Sequence, residues 1–173
     1  MAKKNIVKIG DDVLRKICRT QLTFDERLHQ TLDDMKETMY AAEGVGLAAP
    51  QIGVLRRYCV IDVGDGLIEL INPVITEKSE ETQTGNEGCL SIPGIHEDVV
   101  RPVSIRMRYL DENFVEHDEE FTGKPARVIQ HEYDHIEGRV FTDHLAPLRR
   151  NLIKNKLQKM ARGSYRAAYK TKR

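Results

Sequence analysis

Two histidines four residues apart, His131 and His135, with Glu132 directly after the first, form the pattern in this chain best suited to chemistry. On a helix the two imidazoles fall one turn apart on nearly the same face, so both can point at one metal ion. Glu132 projects about 100° round from His131, near enough to exchange a proton with water at the ion without ligating it. A metal site that performs chemistry ordinarily has three protein ligands and one open position. The pattern is one ligand short.

The familiar zinc proteases find the missing ligand downstream, as a histidine or as an acid on a later helix. Here Phe141 occupies the histidine's place, and no Asp or Glu follows Asp143. His144 lies beyond the helix stop expected at Gly138. Upstream, the candidates are Cys89, His96, His117 and several carboxylates. Ligand chemistry favours Cys89, because a thiolate with two imidazoles is a known catalytic set that leaves a fourth position open. Gly88 and Pro93-Gly94 bend the segment that carries it, so its sulfur can meet a helix. His117 alternates with acids in a strand that reads as exposed, and Cys59, between Tyr58 and Val60, reads as a small core residue.

The elements that must position these groups follow from periodicity. A helix is expected from Thr23, with Glu26 completing a capping box, Leu28, Leu32, Met35 and Met39 on one face, and Gly44 as its stop. The segment GVGLAAPQIG is too rich in small residues for a regular element. Strand-like runs follow at RRYCVIDV, LIELINP, SIRMRYL and FVEHDEEF; in the third, Ile105, Met107 and Tyr109 alternate with Arg106 and Arg108. Pro125 suits the first turn of a second helix through the histidine pair, with Gly138 closing it. A third helix starts near Pro147, its apolar residues being Leu148, Leu152, Ile153, Leu157 and Met160. Helix, short strands, helix, helix reads as α+β.

Composition narrows the setting. The 173 residues are 40% hydrophobic and 31% charged, with no apolar run near the length of a membrane span. One domain is expected over 1–173, without repeats or linkers. Three widely spaced cysteines argue for a reducing compartment, and the N-terminus lacks a secretory apolar stretch, so the cytoplasm is the expected location. No phosphate-loop pattern is present, which argues against a nucleotide cofactor. The net charge of zero is unevenly spread: residues from His144 onward hold 10 Lys plus Arg and no acid. That basic helix and tail, from about 147, suit an anionic partner.

Three separated stretches together resemble the peptide deformylases: Gly44-Val45-Gly46-Leu47-Ala48-Ala49-Pro50-Gln51, Glu87-Gly88-Cys89-Leu90-Ser91, and His131-Glu132-Tyr133-Asp134-His135. The likeness runs over nearly the whole chain. One departure lies near the start, where IGDD stands in place of the proline that family members often carry before Asp-x-x-Leu-Arg. The resemblance implies short antiparallel sheets packed around a central metal-binding helix, with a C-terminal helix after it. It implies one divalent metal on Cys89, His131 and His135, Fe2+ natively, with Zn2+ or Ni2+ able to replace it.

The implied activity is removal of the formyl group from N-formylmethionyl nascent peptides, giving formate and a free amine. Glu132 would be the base, and the Gln51 side-chain amide and the Leu90 backbone N–H would donate to the developing oxyanion. The family lays its peptide as an added strand beside Gly44 and Gly46, where small residues let backbones approach. Val128, one turn before His131, and Val45 are expected to line the methionine pocket. Glu87 is expected to pair with Arg101, and Asp134 to orient the helix through a basic partner. The basic last helix would meet ribosomal RNA, and no membrane contact is expected. Two other readings share these residues: a different metallohydrolase, such as a protease or amidase, and a metal-stabilised binding module that would leave Glu132 and Gln51 idle.

Overall fold

The computed structural model of the chain describes residues 2–163, so the end of the basic tail, 164–173, lies outside the described residues. A 3-10 turn at Asp12–Arg15 precedes helix α1, Glu26–Ala41. The helix begins later than the Thr23 capping box suggests. Asp25 is the N-cap, its Oδ1 accepting the Leu28 N–H at 3.2 Å. Glu26 therefore enters the first turn as an acid at the positive end of the helix dipole, instead of closing a box with Thr23. Leu28, Leu32, Met35 and Met39 are all buried, the one-face stripe that their spacing predicts.

The small-residue segment after α1 does contain regular structure, contrary to its composition. Gly46–Ala48 forms a short strand, β1, and Ala49–Ile52 a 3-10 turn. The remaining strands are β2 (Tyr58–Ile61), β3 (Ile68–Lys78), β4 (Thr82–Cys89), β5 (Ile92–Pro102), β6 (Ser104–Leu110) and β7 (Glu116–Thr122). Five of them build one sheet in the order β1-β2-β3-β6-β7, and β4-β5 form a separate hairpin; every pairing is antiparallel. β6 buries Ile105, Met107 and Tyr109 and exposes Arg106 and Arg108, as its alternation predicts. Pro73 sits inside β3 only because the ladder slips there, between Ile71 and Val74.

The hairpin was not among the strand-like runs. β5 buries Ile95, Glu97, Val99 and Arg101 while exposing the residues between them. Two of these four alternating inward positions are charged, so the apolar alternation that marks a strand is broken.

Helix α2 spans Gly123–Ile136 and helix α3 Pro147–Ala161, joined through Gly138 and a 3-10 turn at Phe141–His144. α2 is the central element: Ala126, Ile129 and Ile136 pack with Cys59, Leu70 and Met107 of the large sheet. Gly138 has φ +75°, and a Cβ there would lie 2.7 Å from the Arg15 carbonyl oxygen. Only glycine makes this turn at that distance. α3 docks through Ile153 and Met160 beside Ile95 and Val99 of the hairpin. Leu148 and Leu152, expected to share that face, are instead exposed, because they follow a neighbouring stripe that turns away. The arrangement is the expected α+β fold. Among the described residues no helix is long and apolar enough to cross a membrane.

Candidate metal centre

Cys89 ends β4, where the hairpin register slips so that Gly88 faces His96 but Cys89 faces Ile92. The slip turns the sulfur toward α2. Its Sγ lies 3.3 Å from His135 Nε2, and the ligand atoms of Cys89, His131 and His135 all lie within 4.8 Å of one another. That spacing suits three donors to one ion, and among the described residues it is the only such group of His, Cys, Asp and Glu. Burial opposes charge on the Cys89 thiol, but His135 and His131 outweigh it and bring the pKa down to about 5. The cysteine is therefore a thiolate at neutral pH, the form that ligates a metal. The donor set fits a divalent ion such as iron or zinc.

The two histidines are supported unequally. His131 Nδ1 donates to Glu87 Oε1 at 2.8 Å, which leaves its Nε2 for the centre. His135 is fully buried and its Nδ1 has no hydrogen-bond partner among the described residues. Glu87 also takes Arg101 on both oxygens, at 2.6 and 2.9 Å, and Arg127 Nη1 at 2.7 Å. Burial would raise the Glu87 carboxyl, yet the His131 and Arg101 hydrogen bonds hold it down at about 2. Arg101 continues to Asp134 at 2.9 Å, which also accepts from His144 Nε2 at 2.7 Å. The Glu87–Arg101 pair and the basic partners of Asp134 are thus both present.

Gln51 stands on the opposite wall. Its Oε1 accepts the Ala48 N–H at 2.9 Å, which fixes the amide orientation and aims Nε2 at Ser91 Oγ (3.1 Å) and Cys89 Sγ (3.6 Å). The N-terminal segment holds this wall to the hairpin: Val7 N–H donates to the Gln51 carbonyl and Ile9 N–H to the Ser91 carbonyl. Glu132 is 2% exposed, and its Oε1 has no hydrogen-bond partner among the described residues. Burial raises its pKa above the ordinary carboxylate value. Its other oxygen presses on Gly46, where an added Cβ would lie 2.4 Å away.

A cleft of about 630 Å³ opens onto these groups. Val45, Gly46, Gln51, Leu90, Val128 and Glu132 all face it, as do Cys89 and His131, while the fully buried His135 lies behind them. Glu87 reaches it too, whereas Arg101 and Asp134 stand behind as supports. His117 is far from this group in role: it stacks on Tyr109 and binds Asp111 at 2.6 Å. His144, once a ligand candidate, is the partner of Asp134. Sequence reasoning missed Arg127 and Ser91. Arg127 lies four residues before His131, a one-turn spacing that could have suggested a shared partner. Ser91 carried no such signal.

Fold and site together define an α+β protein with an open Cys-His-His group able to hold one metal ion. The polypeptide deformylase model matches residues 3–151, and the chain belongs to that family. The peptide deformylase of Thermotoga neapolitana is 45% identical over 157 residues, covering 90% of this chain and 94% of that protein. The crystal structure of peptide deformylase from Thermotoga maritima superposes with a TM-score of 0.83 at 43% identity, covering 85% of this chain and 100% of that one. The crystal structure of the Ehrlichia chaffeensis protein in complex with actinonin gives a TM-score of 0.88 at 37% identity, over 92% of this chain and 98% of that one.

Proposed function

We propose that this chain is a metal-dependent hydrolase that removes the N-formyl group from the formylmethionine of newly made proteins, with residues 1–173 forming one catalytic domain. The observation that carries the reading is the buried Glu132 carboxylate, its Oε1 without a hydrogen-bond partner among the described residues, beside the Cys89-His131-His135 group. A buried carboxylate without a partner is costly, and its raised pKa suits a group that accepts and returns a proton.

A divalent ion on Cys89, His131 and His135, Fe2+ by family resemblance, would supply Lewis-acid polarisation and a lowered pKa for water. Glu132 takes the proton of the attacking water. As the new bond to the formyl carbon forms, the carbonyl oxygen gains charge, and Gln51 Nε2 and the Leu90 backbone N–H donate to it. Glu132 then delivers the proton to the nitrogen as the carbon–nitrogen bond breaks, leaving formate and the free amine. Glu87, Arg101 and Asp134 take no part in bond changes; they hold His131 and α2 in place. The β1 edge receives the peptide backbone, and Val128, Val45 and Leu90 enclose the methionine side chain.

The test is formate release from formyl-Met-Ala-Ser by anaerobically prepared protein, set against the acetylated and unblocked peptides. Formyl-specific turnover supports the reading; equal cleavage of all three points to a broader amidase or protease. The basic α3 and tail would place the enzyme on ribosomal RNA in the cytoplasm, and replacing the exposed Lys154, Lys156 and Lys159 by Gln, which leaves the buried Ile153 and Met160 in place, should then weaken ribosome binding while sparing short-peptide turnover.

A further inference from the structure

Lys124 stands in the first turn of α2, four residues before Val128 and seven before His131, so all three share one helix stripe along the cleft. Its side chain is exposed, lines the cleft, and forms no hydrogen bond or ion pair among the described residues. The neighbouring cation is differently placed. Arg127 is committed to Glu87, the Val99 carbonyl and the Gln83 carbonyl, at 2.6 to 2.9 Å. Lys124 is thus an unengaged positive charge at the open end of the stripe that begins at the metal ligands. Glu43 lines the same cleft from the β1 side and carries the opposite sign.

We infer that Lys124 is a specificity-determining residue that favours peptides with an acidic side chain at the third position, counting the formylmethionine as the first. The inference rests on the deformylase reading and on the extended peptide that it places against β1. Side chains of an extended chain alternate, so the first and third point to the same side. If the methionine enters beside Val128, the third side chain also faces α2. Its Cα lies about 7 Å further along the peptide. Lys124 lies about 10 Å along the helix from His131. Its flexible four-carbon stem spans the remaining gap. The second side chain points the other way and does not meet it.

An ion pair at an exposed rim is modest, so the preference is expected to be small. Formyl-Met-Ala-Asp should exceed formyl-Met-Ala-Lys in kcat/KM by about two- to fivefold at low salt. The margin should fade as salt screens the charges. The experiment compares the Asp/Lys ratio in the metal-loaded wild type, Lys124→Gln and Lys124→Glu, with formyl-Met-Ala-Ser as the reference substrate. Because the ratio is taken within each protein, a general loss of activity cancels. The expected result is a ratio above one in wild type, near one in Lys124→Gln, and below one in Lys124→Glu. A wild-type ratio of one, a ratio unmoved by Lys124→Glu, or a Lys124-dependent preference at the second position instead, overturns the inference. Failure to hydrolyse formyl-Met-Ala-Ser at all overturns the deformylase reading, and the inference falls with it.

Discussion

Glu87 and Arg101 meet inside the β4-β5 hairpin as a two-pronged ion pair, at 2.6 and 2.9 Å, with only 5% and 4% of their side chains exposed. Glu87 uses one of those same oxygens for His131, so a candidate metal ligand is held through a charge network and not by packing alone.

Removing Arg101 leaves two acids, Glu87 and Asp134, short of their shared cation in a buried site. Arg101→Ala is therefore expected to lower stability by about 3 kcal/mol, near the bottom of the range for broken buried pairs, because Arg127 still holds Glu87. Arg101→Lys should recover only part, since an ammonium cannot span both Glu87 oxygens and Asp134. Urea unfolding midpoints of the three proteins check this; equal midpoints would remove the network's structural role.

The same pair sets a pH dependence. Folding depresses the Glu87 pKa from 4.5 to about 2, so its charged form is favoured by the native state. Its contribution is complete above the ordinary carboxylate range and is lost as pH falls toward 2. In metal-free protein, the Tm gap between wild type and Glu87→Gln should hold steady between about pH 5 and 7 and shrink below about 4.5. A gap that stays constant through the acid range would falsify the assignment.

Gly46 and Glu132 are pressed together, so a single methyl group tests the base. Gly46→Ala places Cβ 2.4 Å from a Glu132 oxygen and must push the carboxylate aside. A loss in kcat of about a hundredfold or more is expected, with bound metal retained. Glu132→Gln should lose as much or more. Full activity in Gly46→Ala, with metal quantified, would argue that Glu132 is not the proton carrier.

Gln51 offers a cleaner separation of roles. Gln51→Glu keeps an oxygen for the Ala48 N–H but removes the N–H that faces Cys89 and Ser91. Loss of that donor is expected to cost about 2.7–4 kcal/mol in the barrier, a fall of roughly 10²–10³ in kcat. If kcat holds and only KM rises, Gln51 serves substrate binding instead.

Much of α2 could be read from residue order alone. The His131–His135 spacing, Pro125 in its first turn and the stop at Gly138 are all local signals, and the helix runs between them. Cys89 was reachable because ligand chemistry narrows the choice of a third donor. The hairpin that carries it was not, since Glu97 and Arg101 occupy inward positions that a hydrophobic pattern would assign to the surface. Contacts such as Ser91 with Gln51, 40 residues apart, or Arg127 with Glu87, also 40 apart, depend on where the chain returns in space. No local periodicity carries that information.

The two edges of the five-stranded sheet discourage self-association by different means. β1 offers three residues of backbone, too little for a second sheet to grip, and β7 alternates half-buried positions with the exposed acids Glu116, Asp118 and Glu120, which repel a copy of themselves. A short flexible chain can still lie along β1, where the neighbouring cleft adds contacts that another folded molecule could not reach. On the proposed reading, the short edge that receives a peptide is the same one that offers a second copy of the protein too little backbone to extend.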